Sequence, residues 1–452
     1  MKEINEFLSE NKEAMLEVLA KAISYDTVEN HEDETYPFGK GNADCLDYML
    51  SLCEEFGLNS KNVDYYAGFG EVGSGEKLLG VIGHLDVVPA GDGWDSDPFT
   101  LKVEGDKAYG RGTSDNKGPM ISALFAIKYL IENDYPFKKR LRIVFGCNEE
   151  SGFGCVKHYV EKEGHFDMGF TPDGPYPCCF GEKGIIQLLI KTKNNIFRDV
   201  KGGLAPNVVP DKFELTLEKG SIDVSVFKDY LSKTEIKEYS IDETEEDLII
   251  SIKGKAAHAS LPELGVNAIT HGICALVEAG LKNEALVEFK EKINTELNGE
   301  SAGIGLKDQY GNLTLNVGKI FIEEGEVNIA IDIRCPFTYP NSAAIDVLKE
   351  GFKNWSVEIT NDSTGLYQPE DSPFVKLLCE TYKEITGIDK KPVSMGGGTY
   401  ARGINNTLAF GADEDGFDTH VHDANEFIRI EDLEKNCKIF IIALQKMLEI
   451  DL

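Results

Sequence analysis

Between Gly80 and Glu150, one histidine and four carboxylates are spaced as a two-metal site needs them. The stretch reads Gly-Val-Ile-Gly-His84-Leu-Asp86-Val-Val-Pro, then Gly-Arg-Gly-Thr-Ser-Asp115-Asn-Lys-Gly-Pro, then Ile-Val-Phe-Gly-Cys-Asn-Glu149-Glu150. His84 and Asp86 are two apart on an expected strand, so their side chains leave from one face. Asp86 is therefore expected to accept a hydrogen bond from one ring nitrogen of His84 and turn the other toward a metal. Glu149 and Glu150 are neighbours at the exit of a second buried strand and point to opposite sides, so one can ligate while the other stays free as a base. Two carboxylates there are costly to bury without cations or open solvent. Asp173 in Thr-Pro-Asp173-Gly-Pro and His422 in Val-His422-Asp-Ala-Asn-Glu426 extend the set. Each has a plainer reading, Asp115 as a helix N-cap, Asp173 as a turn residue and His422 as a surface histidine. All of these would have to hold together.

The elements that must position these groups alternate. Residues 3–24 and 44–56 carry apolar positions at helical spacing, and 77–88 is an apolar run of the kind found in strands buried on both faces. A helix over 117–133 and a buried strand over 140–147 follow, which implies an α/β sheet covered by helices. After about Gly181 the style changes. Strand-like runs at 185–191, 213–217, 247–252, 313–320 and 326–334, with helices at 267–279 and 343–353, suggest a separate α+β module. The tail, with helices near 373–386 and 430–450, returns to the first style and is expected to fold back into the first domain. Gly68-Phe-Gly70-Glu-Val-Gly73 matches a dinucleotide fingerprint, but it precedes a strand instead of following one, so it reads as a flexible hairpin loop.

Composition bounds the functions. The 452 residues are 42% hydrophobic and 27% charged, enough for two or three domains with a large core. A net charge of -32 opposes nucleic acid and anionic membranes as partners. The ten cysteines are scattered without a Cys-x-x-Cys pair, and the N-terminal residues lack the apolar core of a signal peptide, so the expected location is the cytoplasm.

Taken in order, Gly-His84-Leu-Asp86-Val-Val-Pro, Gly-Arg-Gly-x-x-Asp115-x-Lys-Gly, Glu149-Glu150, Asp173-Gly and His422-x-x-x-Glu426 resemble the co-catalytic metallopeptidases that include aminoacylases, acetylornithine deacetylase, succinyl-diaminopimelate desuccinylase and carboxypeptidase G. The resemblance covers nearly the full chain. It implies an α/β catalytic domain with a central mixed sheet flanked by helices (1–182 and 371–452) and an inserted α+β lid domain (183–370). It implies two divalent ions, zinc first with manganese or cobalt as alternatives. Both would be bridged by Asp115 and a water, one held by His84 and Asp173, the other by Glu150 and His422. Glu149 would be the general base, oriented within a site where Asp86 is also catalytic.

In the lid, Gly254-Lys-Ala-Ala-His258-Ala-Ser-Leu-Pro262 resembles the segment whose histidine stabilises the oxyanion. Asn207 and Arg334 sit where such lids touch substrate, and Arg334 is the expected two-pronged clamp for a peptide carboxylate. The loop Ser394-Met-Gly396-Gly397-Gly398-Thr-Tyr-Ala-Arg402 offers backbone N–H groups as an anion cradle. The long lid is similar to the peptidase V branch, where the peptide bond after the bridging aspartate is cis. That branch implies a monomeric dipeptidase acting on small peptides with free ends. An N-acyl amino acid deacylase is the alternative, and a non-catalytic binding protein is opposed by the intact Glu149.

Overall fold

The computed structural model describes residues 3–31, 35–414 and 416–451. They divide into two compact units, one built from residues 1–180, 368–393 and 399–452, the other from 181–367 with 394–398.

The first unit is an α/β layer structure. Its sheet runs in the order Asn59–Val63, Ala67–Val72, Arg140–Gly146, Leu78–His84, Met168–Thr171, Thr407–Ala409 and then Cys179. The four middle strands are parallel and the outer ones antiparallel, so the sheet is mixed. Every residue of Leu78–His84 is buried, as a central strand with neighbours on both sides requires. Helices Ile4–Ile23, Lys40–Glu55, Lys117–Glu132, Gly154–Glu163, Pro373–Thr386 and Ile430–Glu449 flank this sheet. Lys117–Glu132 is buried at most of its positions and packs against Ile4–Ile23 and Ile430–Glu449. A helix that is apolar nearly all round belongs inside a core.

Glycine decides how closely this helix approaches the sheet. A Cβ on Gly83 would lie 2.2 Å from Asn116 Oδ1 and 2.4 Å from the Met120 sulfur. Its absence lets the start of Lys117–Glu132, with Asp115 just before it, come down beside His84. The segment expected as a flexible hairpin loop, Gly68 to Gly73, is instead largely the strand Ala67–Val72. Gly68 and Gly70 have no side chains because Leu46, Leu50 and Cys53 of Lys40–Glu55 occupy that space.

The second unit is an antiparallel sheet of eight strands in the order Glu238–Glu243, Asp247–Lys253, Lys212–Glu218, Asp199–Gly202, Thr314–Glu323, Glu326–Cys335, Gly184–Lys193 and Ser356–Ser363. Gly184–Lys193 alternates buried and partly exposed residues, and Ile186, Leu188 and Ile190 face a core shared with the helices Ala268–Glu278 and Glu284–Lys292. The glycine loop, expected to fold with the tail, groups at residues 394–398 with this second unit. Arg334 Nη1 donates to the Gly396 carbonyl at 3.2 Å, and Lys183 N–H donates to the Met395 carbonyl at 3.0 Å, which fixes it there.

Candidate active site

His84 ends the central strand and is fully buried. Its Nδ1 lies 2.9 Å from the backbone carbonyl of Asp86, an acceptor only, so Nδ1 carries a proton and Nε2 faces the cluster. This corrects the expected role of Asp86. The strand stops at His84, the two-residue alternation no longer applies, and the Asp86 carboxylate stands 3.6 Å from the ring. Asp86 Oδ2 instead accepts the backbone N–H groups of Glu149 at 2.8 Å and Glu150 at 3.0 Å. Asp86 thus holds the turn that carries both glutamates. Asn148 closes that turn from the other side, accepting from Gly154 N–H and donating to Glu29 and Ser151.

Asp115 is not a helix cap. The N-cap of Lys117–Glu132 is Asn116, and the Asp115–Asn116 peptide bond is cis. Asp115 Oδ1 lies 2.9 Å from His84 Nε2, and Oδ2 lies 3.0 Å from His422 Nε2. His84 Nε2 is also 3.7 Å from Asp173 Oδ2, and His422 Nε2 is 3.2 Å from Glu150 Oε2. Asn116 ties these pieces together by donating to the Pro172 carbonyl at 2.6 Å and accepting from His84 N–H at 3.3 Å. Donor atoms of His84, Glu149 and Asp173 lie within 4.8 Å of one another, as do those of His84, Asp115 and Glu150.

Glu426 is the residue whose importance the sequence hid. It is fully buried, and its carboxylate accepts four hydrogen bonds, from Arg111 Nη1 at 2.8 Å and from the backbone of Gly112, Ser114 and Asp115 at 2.9–3.1 Å. The Asp115 loop is therefore hung on a residue four positions after His422. The His422-x-x-x-Glu426 spacing was the signal, but nothing in it told an anchor from a ligand. His422 itself has φ +65° and is 54% exposed, so solvent reaches the cluster on its side.

The electrostatics follow from burial of five carboxylates around two imidazoles. Burial and the neighbouring Asp173 push the Glu149 carboxyl well above its usual range, and burial with Asp115 does the same to Asp173. Burial lifts Asp86 to about 6 against the pull of His84. Burial also works to raise Asp115, yet its hydrogen bonds to His422 and His84 hold it well below the carboxylate range. Desolvation lowers both histidines, but Asp115 outweighs it at His84, and Asp115 with Glu150 lifts His422 to about 11. Such a cluster balances its charge with protons unless divalent cations replace them. Imidazole nitrogens and carboxylate oxygens without a thiolate form a donor set that fits such cations.

The second unit brings other candidates together. The pair Val208–Val209 and Ala257–His258 is antiparallel, and Ala259 N–H donates to the Asn207 carbonyl at 2.9 Å, which sets Asn207 beside the His258 segment. His258 Nδ1 accepts Ser260 N–H at 3.2 Å, so the neutral ring carries its proton on Nε2. Arg334 does not have the free fork expected of a clamp. It is buried, with Nε 2.6 Å and Nη2 3.1 Å from the two oxygens of the fully buried Asp332. The bidentate pairing is thus made inside the sheet, and Nη1 orders the glycine loop through Gly396.

The model of peptidase family M20/M25/M40 matches residues 80–446. The chain belongs to this family. Among M20 relatives, "Putative dipeptidase SSP1012" of Staphylococcus saprophyticus is 32% identical over 99% of this chain and 98% of its own. "Putative dipeptidase YtjP" of Bacillus subtilis is 35% identical over 91% and 92%. Human carnosine dipeptidase 1 shares the fold, with a TM-score of 0.62 at 15% identity over 99% of this chain and 98% of that one. The family is metal-dependent, and the cluster supplies candidate metal-binding residues; among the described residues no helix is long and apolar enough to cross a membrane.

Proposed function

We propose that this M20 chain is a dinuclear metallo-dipeptidase, hydrolysing dipeptides with a free amino end and a free C-terminal carboxylate. Full-length similarity to proteins described as dipeptidases supports the substrate class. The observation that carries the mechanism is the division of Asp115, one oxygen toward His84 and the other toward His422. In this reading His84 and Asp173 would hold one ion and Glu150 and His422 a second, with Asp115 contributing to both. Two divalent cations there supply Lewis-acid polarisation of the scissile carbonyl and acidify the attacking water.

The chain's own groups do the rest. Glu149, held through its backbone by Asp86, takes the water's proton and returns it to the departing amine. His258 offers its Nε2–H to the carbonyl oxygen as negative charge grows there, a contact stronger in the transition state than in the ground state. Asn207 and the backbone of Gly396, Gly397 and Gly398 hold the peptide, Arg334 keeps that loop in shape, and the second unit acts as a lid. Zinc is the first choice of metal, with manganese or cobalt compatible with the carboxylate majority. Ten free thiols support a reducing cytoplasm, and the long second unit supports a monomer.

The test is metal-stripped protein resupplied with zinc, manganese or cobalt and offered dipeptides beside N-acetyl and N-succinyl amino acids. Metal-restored cleavage confined to dipeptides is expected. Turnover of the acyl amino acids alone would replace the proposal with a deacylase.

A further inference from the structure

A cavity of about 340 Å³ inside the first unit borders the metal cluster, with Asp115 and Asp173 among its lining residues. The short strands Gly174–Pro175 and Ala412–Asp413 run parallel beside it. Tyr176 N–H donates to the Asp413 carbonyl at 3.0 Å, which fixes Asp413 next to the turn that carries Asp173. Six described carboxylates line this space, and five of them are engaged. Asp115 and Asp173 belong to the metal cluster. Glu414 and Asp432 share Lys435 at 2.9 and 2.7 Å, and Asp418 accepts His420 N–H at 2.8 Å. Among the described residues no donor or cation reaches the carboxylate of Asp413, and the charge that acts on it, Asp115, has its own sign. The same cavity has apolar surface, where Phe417 meets Phe427 edge-on at 6.0 Å and Pro119 and Ile428 continue the lining. Asn436 lines it too, 1% exposed. Its Oδ1 accepts the Tyr176 hydroxyl at 2.9 Å, while its Nδ2 has no hydrogen-bond partner. A buried amide donor without an acceptor is costly, and a group entering the cavity can supply one.

An open carboxylate next to the metal ligands, an apolar surface and an unpaired amide donor together match the amino-terminal residue of a peptide whose scissile carbonyl lies at the ions. We infer that Asp413 receives the free ammonium group of the substrate and that the rest of this cavity receives the side chain of that same residue, with Asn436 Nδ2 donating to a neutral acceptor such as the carboxamide oxygen of glutamine. The inference rests on the dipeptidase reading and adds to it how the amino end is recognised. All of these groups belong to the first unit. An ammonium on a carboxylate makes a charge-assisted hydrogen bond, which an N-acyl group cannot make.

The experiment compares Ala-Ala, Leu-Ala, Gln-Ala and propionyl-Ala, which is Ala-Ala without its amino group, with metal-loaded wild type, Asp413→Asn, Asp413→Glu and Asn436→Leu, and measures the metal content of each protein. Wild type is expected to favour Ala-Ala over propionyl-Ala by about 100-fold or more in kcat/KM. Asp413→Asn should keep two metal equivalents, raise KM for Ala-Ala about tenfold and cut the preference for the amino group by about the same factor. Asp413→Glu should restore part of that preference, which loss of folding would not allow. Asn436→Leu should lower the Gln-Ala to Leu-Ala ratio about tenfold, a ratio taken within one protein and so indifferent to how much of it is folded. Equal cleavage of Ala-Ala and propionyl-Ala by wild type, an unchanged preference in Asp413→Asn, or loss of metal from that variant overturns the ammonium site. An unchanged Gln-Ala to Leu-Ala ratio in Asn436→Leu overturns the side-chain assignment. Each of these leaves the dipeptidase reading intact as long as wild type cleaves the dipeptides. Absence of cleavage of every dipeptide by wild type overturns that reading and the site with it.

Discussion

Asp115 presents one oxygen to His84 and the other to His422, and each histidine is paired with a further carboxylate, Asp173 or Glu150. Glu149 stands in the same cluster without being needed for either pair. Glu149→Ala is therefore expected to bind two metal equivalents and lose about 10²–10⁴-fold in kcat. Elemental analysis beside steady-state kinetics checks this, and near-normal kcat would remove the base assignment. His422 provides a pH signature. In the metal-free chain its value is raised to about 11, so it carries a proton at neutral pH that a metal must displace. Metal binding should release protons and tighten as pH rises from about 6 to 8, as calorimetry in buffers of different ionisation enthalpy would read. Binding that is independent of pH would contradict this. The residue types able to ligate a metal, and their order, were legible in the sequence because chemistry restricts which side chains can do so, and the structure brings His84, Asp115, Glu149, Glu150 and Asp173 together. The partner of each side chain was not legible. Asp86 faces a turn because the strand ends one turn of alternation early, and Arg334 is forked onto Asp332, two residues away on the same strand.

At the level of elements, the site is a set of strand ends and loops pinned by buried carboxylates. Asp86 gathers the Glu149–Glu150 turn, and Glu426 gathers the loop from Arg111 to Asp115. Glu426→Gln keeps size but turns one acceptor oxygen into a donor facing backbone N–H groups or Arg111. It should weaken metal binding about 10–100-fold, as loss of a group orienting a ligand does, with the protein still folded. Competition with a chromophoric chelator measures it, and unaltered affinity would reduce Glu426 to a packing residue. The buried strands and amphipathic helices were read from period alone, since burial imposes that period. The strands Asp199–Gly202, Glu238–Glu243 and Ser356–Ser363 escaped because they are short or largely exposed and carry little apolar alternation. The glycine loop was assigned to the wrong unit because the bonds from Arg334 and Lys183 that hold it cross more than 60 positions of chain.

On the scale of the whole molecule, the chain has two units with separate cores, and the metal candidates all belong to the first. Ligands that bind only the native state stabilise what they bind. Scanning calorimetry should thus resolve a transition that a chelator lowers, belonging to the first unit, and one that it leaves in place. A chelator that moves both equally would mean the units unfold as one. The net charge of -32 adds a field that draws divalent cations toward the molecule and opposes polyanions.

The most direct test of the bridging claim is anomalous diffraction from crystals grown with manganese or zinc. The account predicts two peaks with the Asp115 carboxylate between them, one beside His84 and Asp173 and the other beside Glu150 and His422. A single peak, or two peaks that do not share Asp115, would contradict it.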